Sequence, residues 1–207
     1  MLKNYNYVKI DVEHIEFTYY PIEFTFKNNQ DIELGNNILV GNSATPTNNH
    51  FEVFELLSKF SLEERKIITP LSYGNKVYAE KVKRLGDNMF KDNFFPITEF
   101  MTLEKYNKVI QQCGVVIINT YRQQAVGNIL SMLWMGAKIY LDNKNTFYKY
   151  LKRKGFFIYS INDDFKIENF KVLGLLTKEE KIHNKQILKR EISTERLFSI
   201  LKKTLIK

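Results

Sequence analysis

A glycine and several small polar side chains occupy residues 41–50, between a short apolar run and an amphipathic stretch. Gly41 would let a ligand approach the backbone, and the amides and hydroxyls could hydrogen-bond to it. Because helix N-termini carry unpaired N–H groups and a partial positive charge, such a segment suits a phosphate or diphosphate. If the segment binds a ligand, His50 could add a cationic or hydrogen-bonding contact. The alternative is that the segment is only a turn with an N-cap, and that His50 is merely exposed on the first helical turn. The candidate contacts are Gly41, Asn42, Ser43, Asn48, Asn49 and His50.

Arg122 follows the most apolar run of the chain, residues 115–118, at the predicted start of a helix. The helix dipole disfavours a cation at that position, so we expect a ligand to account for it. A guanidinium can hold a phosphate through two parallel hydrogen bonds. Gly127 would allow that ligand to come close to the helix. Neighbouring candidate contacts are Gln123, Gln124 and Asn128.

Two further loops follow predicted strands and carry candidate ligand contacts. Ser72 and Tyr73 would face the cleft, where Tyr73 could stack on a base; plain turn chemistry is the alternative. Asp142 could cap the next helix or hold a ribose hydroxyl, and Asn145 ends the same loop.

Residue types exclude several other kinds of site. The chain has 1 cysteine, Cys113, so neither an internal disulfide nor a cysteine-based zinc site can form. Its 3 histidines lie far apart, without metal-ligand spacing. No catalytic arrangement of paired carboxylates, Ser/His/Asp or Cys/His stands out, and the P-loop and GxGxxG patterns are missing. Cys113 precedes an apolar run and is expected to be an inert core residue.

The composition is that of a globular protein. The 207 residues suit one domain or two small ones, and 4 prolines and 9 glycines exclude collagen-like and low-complexity chains. The first residues lack the apolar core of a signal peptide, and no run approaches the roughly 20 apolar residues of a transmembrane helix. We therefore expect a cytoplasmic protein, either soluble or peripheral on a membrane.

The net charge of +8 is concentrated at one end of the chain. Residues 1–148 contain 16 basic and 16 acidic side chains, whereas residues 149–207 contain 15 and 7. A patch for a membrane surface or a nucleic acid is one interpretation, and a solvated helix face is the other. Because the aromatic residues do not alternate with basic ones in a nucleic-acid-binding pattern, we expect no nucleic-acid partner.

Strand and helix periodicities alternate from residue 37 onward. The predicted strands are 37–41, 66–69, 93–97, 115–118, 138–141 and 156–159, and the predicted helices are 48–60, 73–85, 102–112, 123–135, 146–154 and 178–206. Gly86 is predicted to end the second helix and Thr102 to cap the third. This alternation with short connections indicates an α/β fold, a Rossmann-like parallel sheet with helices on both faces. Ligands of such sheets bind at the carboxyl ends of the strands, where the four loops lie.

The chain is predicted to contain three segments. Residues 1–35 alternate loosely, like strands, and end in a polar stretch that reads as a linker. Residues 36–177 form the Rossmann-like domain. Residues 178–207 form a basic helical tail.

Four motifs together resemble one family, the TDP-N-acetylfucosamine:lipid II N-acetylfucosaminyltransferases, or 4-alpha-L-fucosyltransferases of glycosyltransferase family 56. The similar segments, in the same order and spacing, are Ile38-Leu-Val-Gly-Asn-Ser43, Asn48-Asn-His50, Pro70-Leu-Ser-Tyr-Gly74 and Arg122-Gln-Gln-Ala-Val-Gly127. Tyr19-Tyr-Pro21 resembles the approach to the family's second domain. The resemblance covers residues 17–165, and it is the combination of motifs that makes it specific.

This resemblance implies a GT-B architecture of two Rossmann domains, of which the chain is mainly the carboxy-terminal, donor-binding half. It implies metal-independent hexosyl transfer without a cofactor. The donor would be a dTDP-type deoxy-amino sugar such as N-acetylfucosamine, and the acceptor a polyprenyl-diphosphate-linked saccharide in bacterial surface polysaccharide synthesis. The protein would then be peripheral on the inner face of the cell membrane, with the basic tail near anionic lipid.

Site roles follow from the same resemblance. Arg122 and the backbone N–H groups of residues 41–43 are expected to stabilise the leaving diphosphate, and His50 is a second catalytic candidate. The chain departs from the family in two ways. We expect it to lack most of an amino-terminal domain, which would hold any catalytic base, and it reads Ala44-Thr-Pro-Thr47 where a more charged segment is expected.

Two alternatives stay open at this point. A non-catalytic nucleotide-binding or interaction module could keep this half of the site, and the short length of the chain is the reason to consider it. A basic nucleic-acid-binding protein is the weaker alternative, and it predicts salt-sensitive binding to any polyanion.

Overall fold

A computed structural model of the chain describes residues 21, 32–166 and 171–205. The strands predicted before residue 31 lie outside the described residues. Gln30–Ile187 forms one compact unit, and the residues from Leu188 onward belong to a second one. The predicted three-segment organisation stays a prediction.

A six-stranded parallel sheet lies at the centre of the first unit. Its strands are β1 (Asn37–Val40), β2 (Ile67–Pro70), β3 (Phe94–Ile97), β4 (Cys113–Ile118), β5 (Lys138–Leu141) and β6 (Tyr159–Ser160). Their spatial order is β3-β2-β1-β4-β5-β6, and every neighbouring pair is parallel. The order reverses between β1 and β4, so a crevice opens at the carboxyl ends of these two strands. The predicted Rossmann-like α/β fold is confirmed.

Helices follow the strands in sequence. They are α1 (His50–Leu57), α2 (Lys76–Phe90), α3 (Leu103–Ile110), α4 (Val126–Met135), α5 (Thr146–Arg153), α6 (Lys178–Ile192) and α7 (Thr194–Leu205). Thr102 caps α3 as predicted, since its hydroxyl accepts a hydrogen bond from the Lys105 N–H at 3.4 Å. The single helix predicted for the tail is two helices.

The second helix was predicted at 73–85, and both of these bounds are wrong. α2 begins at Lys76 because the Asn75 side chain caps it, accepting a 2.8 Å hydrogen bond from the Tyr78 N–H. Gly86 lies inside α2 and does not end it. A Cβ at Gly86 would lie 2.4 Å from the nearest ring carbon of Phe94, so the glycine permits close packing of α2 on β3.

Both faces of the sheet are buried. Ile38 and Val40 share one core cluster with Phe54 and Phe94, while Leu39, also buried, alternates to the opposite face. Since all six residues of β4 are buried, this strand appears in the sequence as a continuous apolar run.

The last strand is displaced from its predicted position at 156–159. The Phe156 N–H donates to the Leu151 carbonyl and the Ile158 N–H to the Phe156 carbonyl. Because these turn-forming bonds take up the N–H groups, pairing with β5 starts only at Tyr159.

Candidate functional site

A buried amide shapes the loop after β1. Asn48 is fully buried, its Nδ2 donates to the Ser43 carbonyl at 3.1 Å, and its Oδ1 accepts from the Asn42 N–H at 3.2 Å. The Ser43 side chain is also buried, with its hydroxyl 2.9 Å from that of Thr45. The predicted contacts Asn48 and Ser43 therefore organise the loop from within, because their polar atoms bond to the loop itself.

His50 lies directly beneath Gly41. Its Nδ1 is 3.2 Å from the Tyr78 hydroxyl, and its Nε2 has no hydrogen-bond partner in the described part of the chain. Gly41 has φ +70°, and a Cβ there would lie 2.4 Å from that Nε2. Position 41 thus requires glycine for two reasons: its backbone is left-handed, and a side chain there would collide with the His50 ring.

The cationic contact predicted for His50 is wrong, and so is the exposed alternative. His50 is fully buried at the start of α1. Burial lowers the pKa of His50 to about 4, because a charged ring would be poorly solvated there. The ring is therefore neutral at pH 7 and is placed to support the Gly41 loop.

We expect His50 to make folding depend on pH. In the unfolded chain it binds a proton near pH 6.5, but in the folded chain only near pH 4. Stability is therefore complete above pH 6.5 and falls as the pH is lowered towards 4, by about 3 kcal/mol from this group. Urea unfolding from pH 4 to 7 measures the loss. It should shrink in His50→Gln and persist in the control His183→Gln, which changes an exposed histidine; equal pH profiles for His50→Gln and the unsubstituted protein would contradict the assignment.

The loop after β2 runs beside the loop after β1. The Ala44 N–H donates to the Tyr73 carbonyl at 2.7 Å, and the Asn75 N–H donates to the Ala44 carbonyl at 2.9 Å. Between them Gly74 has φ +120°. This backbone pairing leaves the side chains of Ser72 and Tyr73 exposed at the carboxyl edge of the sheet.

The helix after β4 begins three residues later than predicted. α4 starts at Val126, after Ala125 in a left-handed conformation, so Arg122 lies in the loop. Among the described residues, no acceptor pairs with the N–H groups of Val126, Gly127 and Asn128, as is usual for a first helical turn. A Cβ at Gly127 would meet nothing within 4 Å, so the space beside this glycine is open.

Gln124 bridges the two loops that flank the crevice. Its Oε1 accepts from the Thr47 hydroxyl at 2.9 Å, and its Nε2 donates to the Asn42 Oδ1 at 3.2 Å. Asn49 adds a second link by donating to the Asn119 carbonyl at 2.8 Å. The structure thus brings together the predicted residues Asn42, Asn49 and Gln124, whose side chains join the loops and hold the crevice in shape.

Asn145 braces the Arg122 loop from the neighbouring strand end. Its Oδ1 accepts from the Phe147 N–H at 2.8 Å and caps α5. Its Nδ2 donates to the carbonyls of Thr120 at 2.7 Å and Arg122 at 2.9 Å. Since Asn145 is fully buried, it positions the loop without reaching solvent itself.

Two other residues predicted to contact a ligand, Asp142 and Asn128, form hydrogen bonds elsewhere in the chain. The cap predicted for Asp142 is wrong, because Asn145 takes that position and the buried Asp142 carboxylate accepts from the Lys144 N–H at 2.7 Å. Asn128 donates to the Tyr106 hydroxyl at 3.1 Å, so its side chain contacts α3.

Positive charge collects at this edge of the sheet. Arg122 is exposed and forms no ion pair within the described ranges. Lys144 is also exposed, and its Nζ lies 4.9 Å from the ring centroid of Tyr121. Sequence reasoning did not single out Lys144, since a lysine in a turn after a strand carries no specific signal. Together with the N-terminus of α4, the two cations suit a ligand with two phosphate groups.

Several polar side chains around the crevice are exposed. Among the predicted or newly identified candidates they are Ser72, Tyr73, Arg122, Gln123 and Lys144. In the described part of the chain, no helix combines the length and hydropathy that crossing a lipid bilayer requires.

Comparison with known proteins gives one family match. The model of the family described as 4-alpha-L-fucosyltransferase, glycosyl transferase group 56, matches residues 4–188.

Solved structures with a similar fold include glycosyltransferases. AviGT4, a glycosyltransferase involved in avilamycin A biosynthesis, has a TM-score of 0.55 at 11% identity over 85% of this chain and 51% of its own. A glycosyltransferase from Rickettsia africae ESF-5 has a TM-score of 0.58 at 14% identity over 89% and 49%. TarM has a TM-score of 0.59 at 16% identity over 87% and 36%. This chain therefore spans about half of their lengths or less, and at these identities the likeness establishes the fold.

Proposed function

Since the chain belongs to the glycosyltransferase group 56 family of 4-alpha-L-fucosyltransferases, we propose that it binds a nucleotide-sugar donor in the crevice between β1 and β4. The observation that carries this proposal is that, within the described residues, Arg122 is exposed without an ion-pair partner and the N–H groups that begin α4, at the end of the same loop, have no acceptor. A diphosphate in the crevice would meet both. Lys144 would add a second positive charge.

The proposed reaction is glycosyl transfer. The bond between the anomeric carbon and the diphosphate breaks, and the diphosphate leaves with the bonding electrons while an acceptor hydroxyl oxygen bonds to that carbon. Arg122, Lys144 and the N–H groups of α4 stabilise the charge that develops on the leaving group. The proton of the acceptor hydroxyl passes to a base on the acceptor side. His50 is not that base in this proposal, because its ring is buried.

The finer identity of the substrates rests on the family. We propose a dTDP-type donor carrying a deoxy-amino sugar such as N-acetylfucosamine, with no metal ion required. The proposed acceptor is a polyprenyl-diphosphate-linked saccharide, at the inner face of the cell membrane. Tyr73, 75% exposed at the same edge of the sheet, offers a flat apolar surface on which a base could stack.

Calorimetric titration with dTDP, UDP and GDP, with and without Mg²⁺, tests the donor site. We expect one of the three to bind, without needing Mg²⁺, and Arg122→Ala to weaken it at least tenfold, because a charge-assisted hydrogen bond contributes about 1.5–3 kcal/mol. Arg84→Ala, which removes an exposed arginine of α2, is the matched control and should leave the affinity unchanged. Binding of none of them, or equal affinity in the Arg122→Ala variant, would overturn the proposed site.

A non-catalytic nucleotide-binding module is the alternative proposal. A transfer assay with the bound donor and a lipid-linked acceptor separates the two. Nucleotide binding without transfer would favour the module.

A further inference from the structure

The loops after β4 and β5 hold two exposed cations side by side. The buried Asn145 side chain donates to the Arg122 carbonyl at 2.9 Å, so Lys144, the residue before Asn145, lies next to the Arg122 loop. β4 and β5 are also neighbours in the sheet, and neighbouring strands lie about 4.8 Å apart. The two cations therefore belong to one patch at the carboxyl edge, although α4 and β5 separate them in the sequence.

Lys144 is held at both its backbone and its ammonium group. Its backbone N–H donates to the buried Asp142 carboxylate at 2.7 Å, which fixes the turn. Its Nζ lies 4.9 Å from the ring centroid of Tyr121, a distance at which the ring face attracts a cation. Among the residues that the structure describes, no carboxylate forms an ion pair with this ammonium. The N–H groups that point away from the ring are therefore left for a ligand.

The strand order places Lys144 at one end of the proposed donor. Along the sheet the strands follow in the order β2, β1, β4 and β5. Tyr73, on which the base is proposed to stack, follows β2, whereas Lys144 follows β5, and Arg122 lies between them. A nucleotide that extends along this edge presents its first phosphate to Arg122 and its terminal phosphate to Lys144.

We infer that Tyr121 and Lys144 select a nucleoside diphosphate over a monophosphate, with Tyr121 as a positioning residue that holds the Lys144 ammonium ready for the terminal phosphate. An unrestrained lysine loses rotamer freedom when it binds, and the Tyr121 ring restrains it beforehand. The terminal phosphate carries the sugar in a nucleotide-sugar donor, so Lys144 also meets the charge that develops on the leaving group. This inference rests on the proposed donor site.

Calorimetric titration with matched pairs of nucleotides, namely dTDP and dTMP, UDP and UMP, and GDP and GMP, tests the inference. We expect Lys144→Met to weaken the bound diphosphate about tenfold or more and its monophosphate by less than about twofold, because only the diphosphate reaches the ammonium.

Substitutions of Tyr121 test its positioning role. Tyr121→Leu should weaken the diphosphate about two- to fivefold, which is the size of an exposed cation–π contact. Tyr121→Phe keeps the ring and should keep the affinity. In a Lys144→Met background, Tyr121→Leu should have no further effect, since the side chain that it positions is gone.

Controls separate this role from a general loss of charge or of folding. Lys59→Met removes an exposed lysine just beyond the end of α1, away from the crevice, and should leave both affinities unchanged. The thermal unfolding midpoint of each variant shows whether it is folded.

The outcomes distinguish this inference from the donor site itself. Arg122→Ala should weaken the monophosphate and the diphosphate alike, since both place a phosphate there. If Arg122→Ala does so but Lys144→Met weakens both ligands equally or neither, the inference is wrong and the donor site stands. Tighter diphosphate binding by Tyr121→Leu would also overturn the inference, because the ring would then compete with the phosphate for the ammonium. If none of the nucleotides binds, the donor site is wrong and the inference fails with it.

Discussion

Asn145→Ala is expected to destabilise the protein by about 4 kcal/mol, the largest effect of a single side chain at this site. The cap of α5 contributes about 1 kcal/mol. The carbonyls of Thr120 and Arg122 lose the donor that satisfies them, at about 1.5 kcal/mol each. Urea unfolding measures the change. Because Asn145 sets the Arg122 loop, the affinity for the nucleoside diphosphate should fall as well.

Asn145→Asp distinguishes the two roles of this residue. An aspartate keeps the oxygen that caps α5 but replaces the Nδ2 donor with an oxygen facing two carbonyls. We therefore expect Asn145→Asp to be no more stable than Asn145→Ala. An aspartate variant as stable as the unsubstituted protein would show that capping alone matters, and would contradict the bracing role.

Gly41→Ala is expected to cost about 3 to 4 kcal/mol. A side chain at φ +70° is strained by about 1–2 kcal/mol, and the added Cβ would lie 2.4 Å from the His50 Nε2. Moving that ring within a packed core costs about 1–3 kcal/mol more. Denaturant unfolding at pH 7, where His50 is neutral, measures the sum.

A double-mutant cycle separates strain from crowding. In a His50→Ala background, Gly41→Ala should cost only the backbone strain, since the ring is gone. Gly127→Ala is the matched control: its Cβ meets nothing within 4 Å at the start of α4, so it should be neutral or stabilising by about 0.5 kcal/mol. A cost for Gly41→Ala that is the same with and without the His50 ring would contradict the steric account.

Local patterns were sufficient to predict the sheet. The central strands β1, β2, β4 and β5 are short apolar runs that burial on both faces requires, and the stretches between strands have helical periodicity, so the α/β fold follows from the sequence. The spacing also held a signal for the burial of His50. It precedes Val53, Phe54 and Leu57 by three, four and seven residues, and these side chains form the buried face of α1.

Choices between equivalent residues could not be predicted. Asp142 and Asn145 are both good helix caps by type, and only the packing of Asn145 against the Arg122 loop decides between them. Glycine is a residue type that often ends a helix, but position 86 requires glycine because a side chain there would collide with Phe94, eight residues away on the next strand. Similarly, the bridging role of Gln124 depends on Thr47, far away in sequence. Contacts of this kind appear only when the sheet brings the loops together.

The central claim is that the crevice between β1 and β4 holds the diphosphate of a nucleotide-sugar donor. Backbone ¹H–¹⁵N NMR of the labelled chain, with stepwise addition of the nucleoside diphosphate found by titration, tests this claim most directly. We predict the largest shifts at the N–H groups of residues 122–128, with smaller ones at 41–43. Saturable shifts confined to other regions, or no shifts at all, would contradict it.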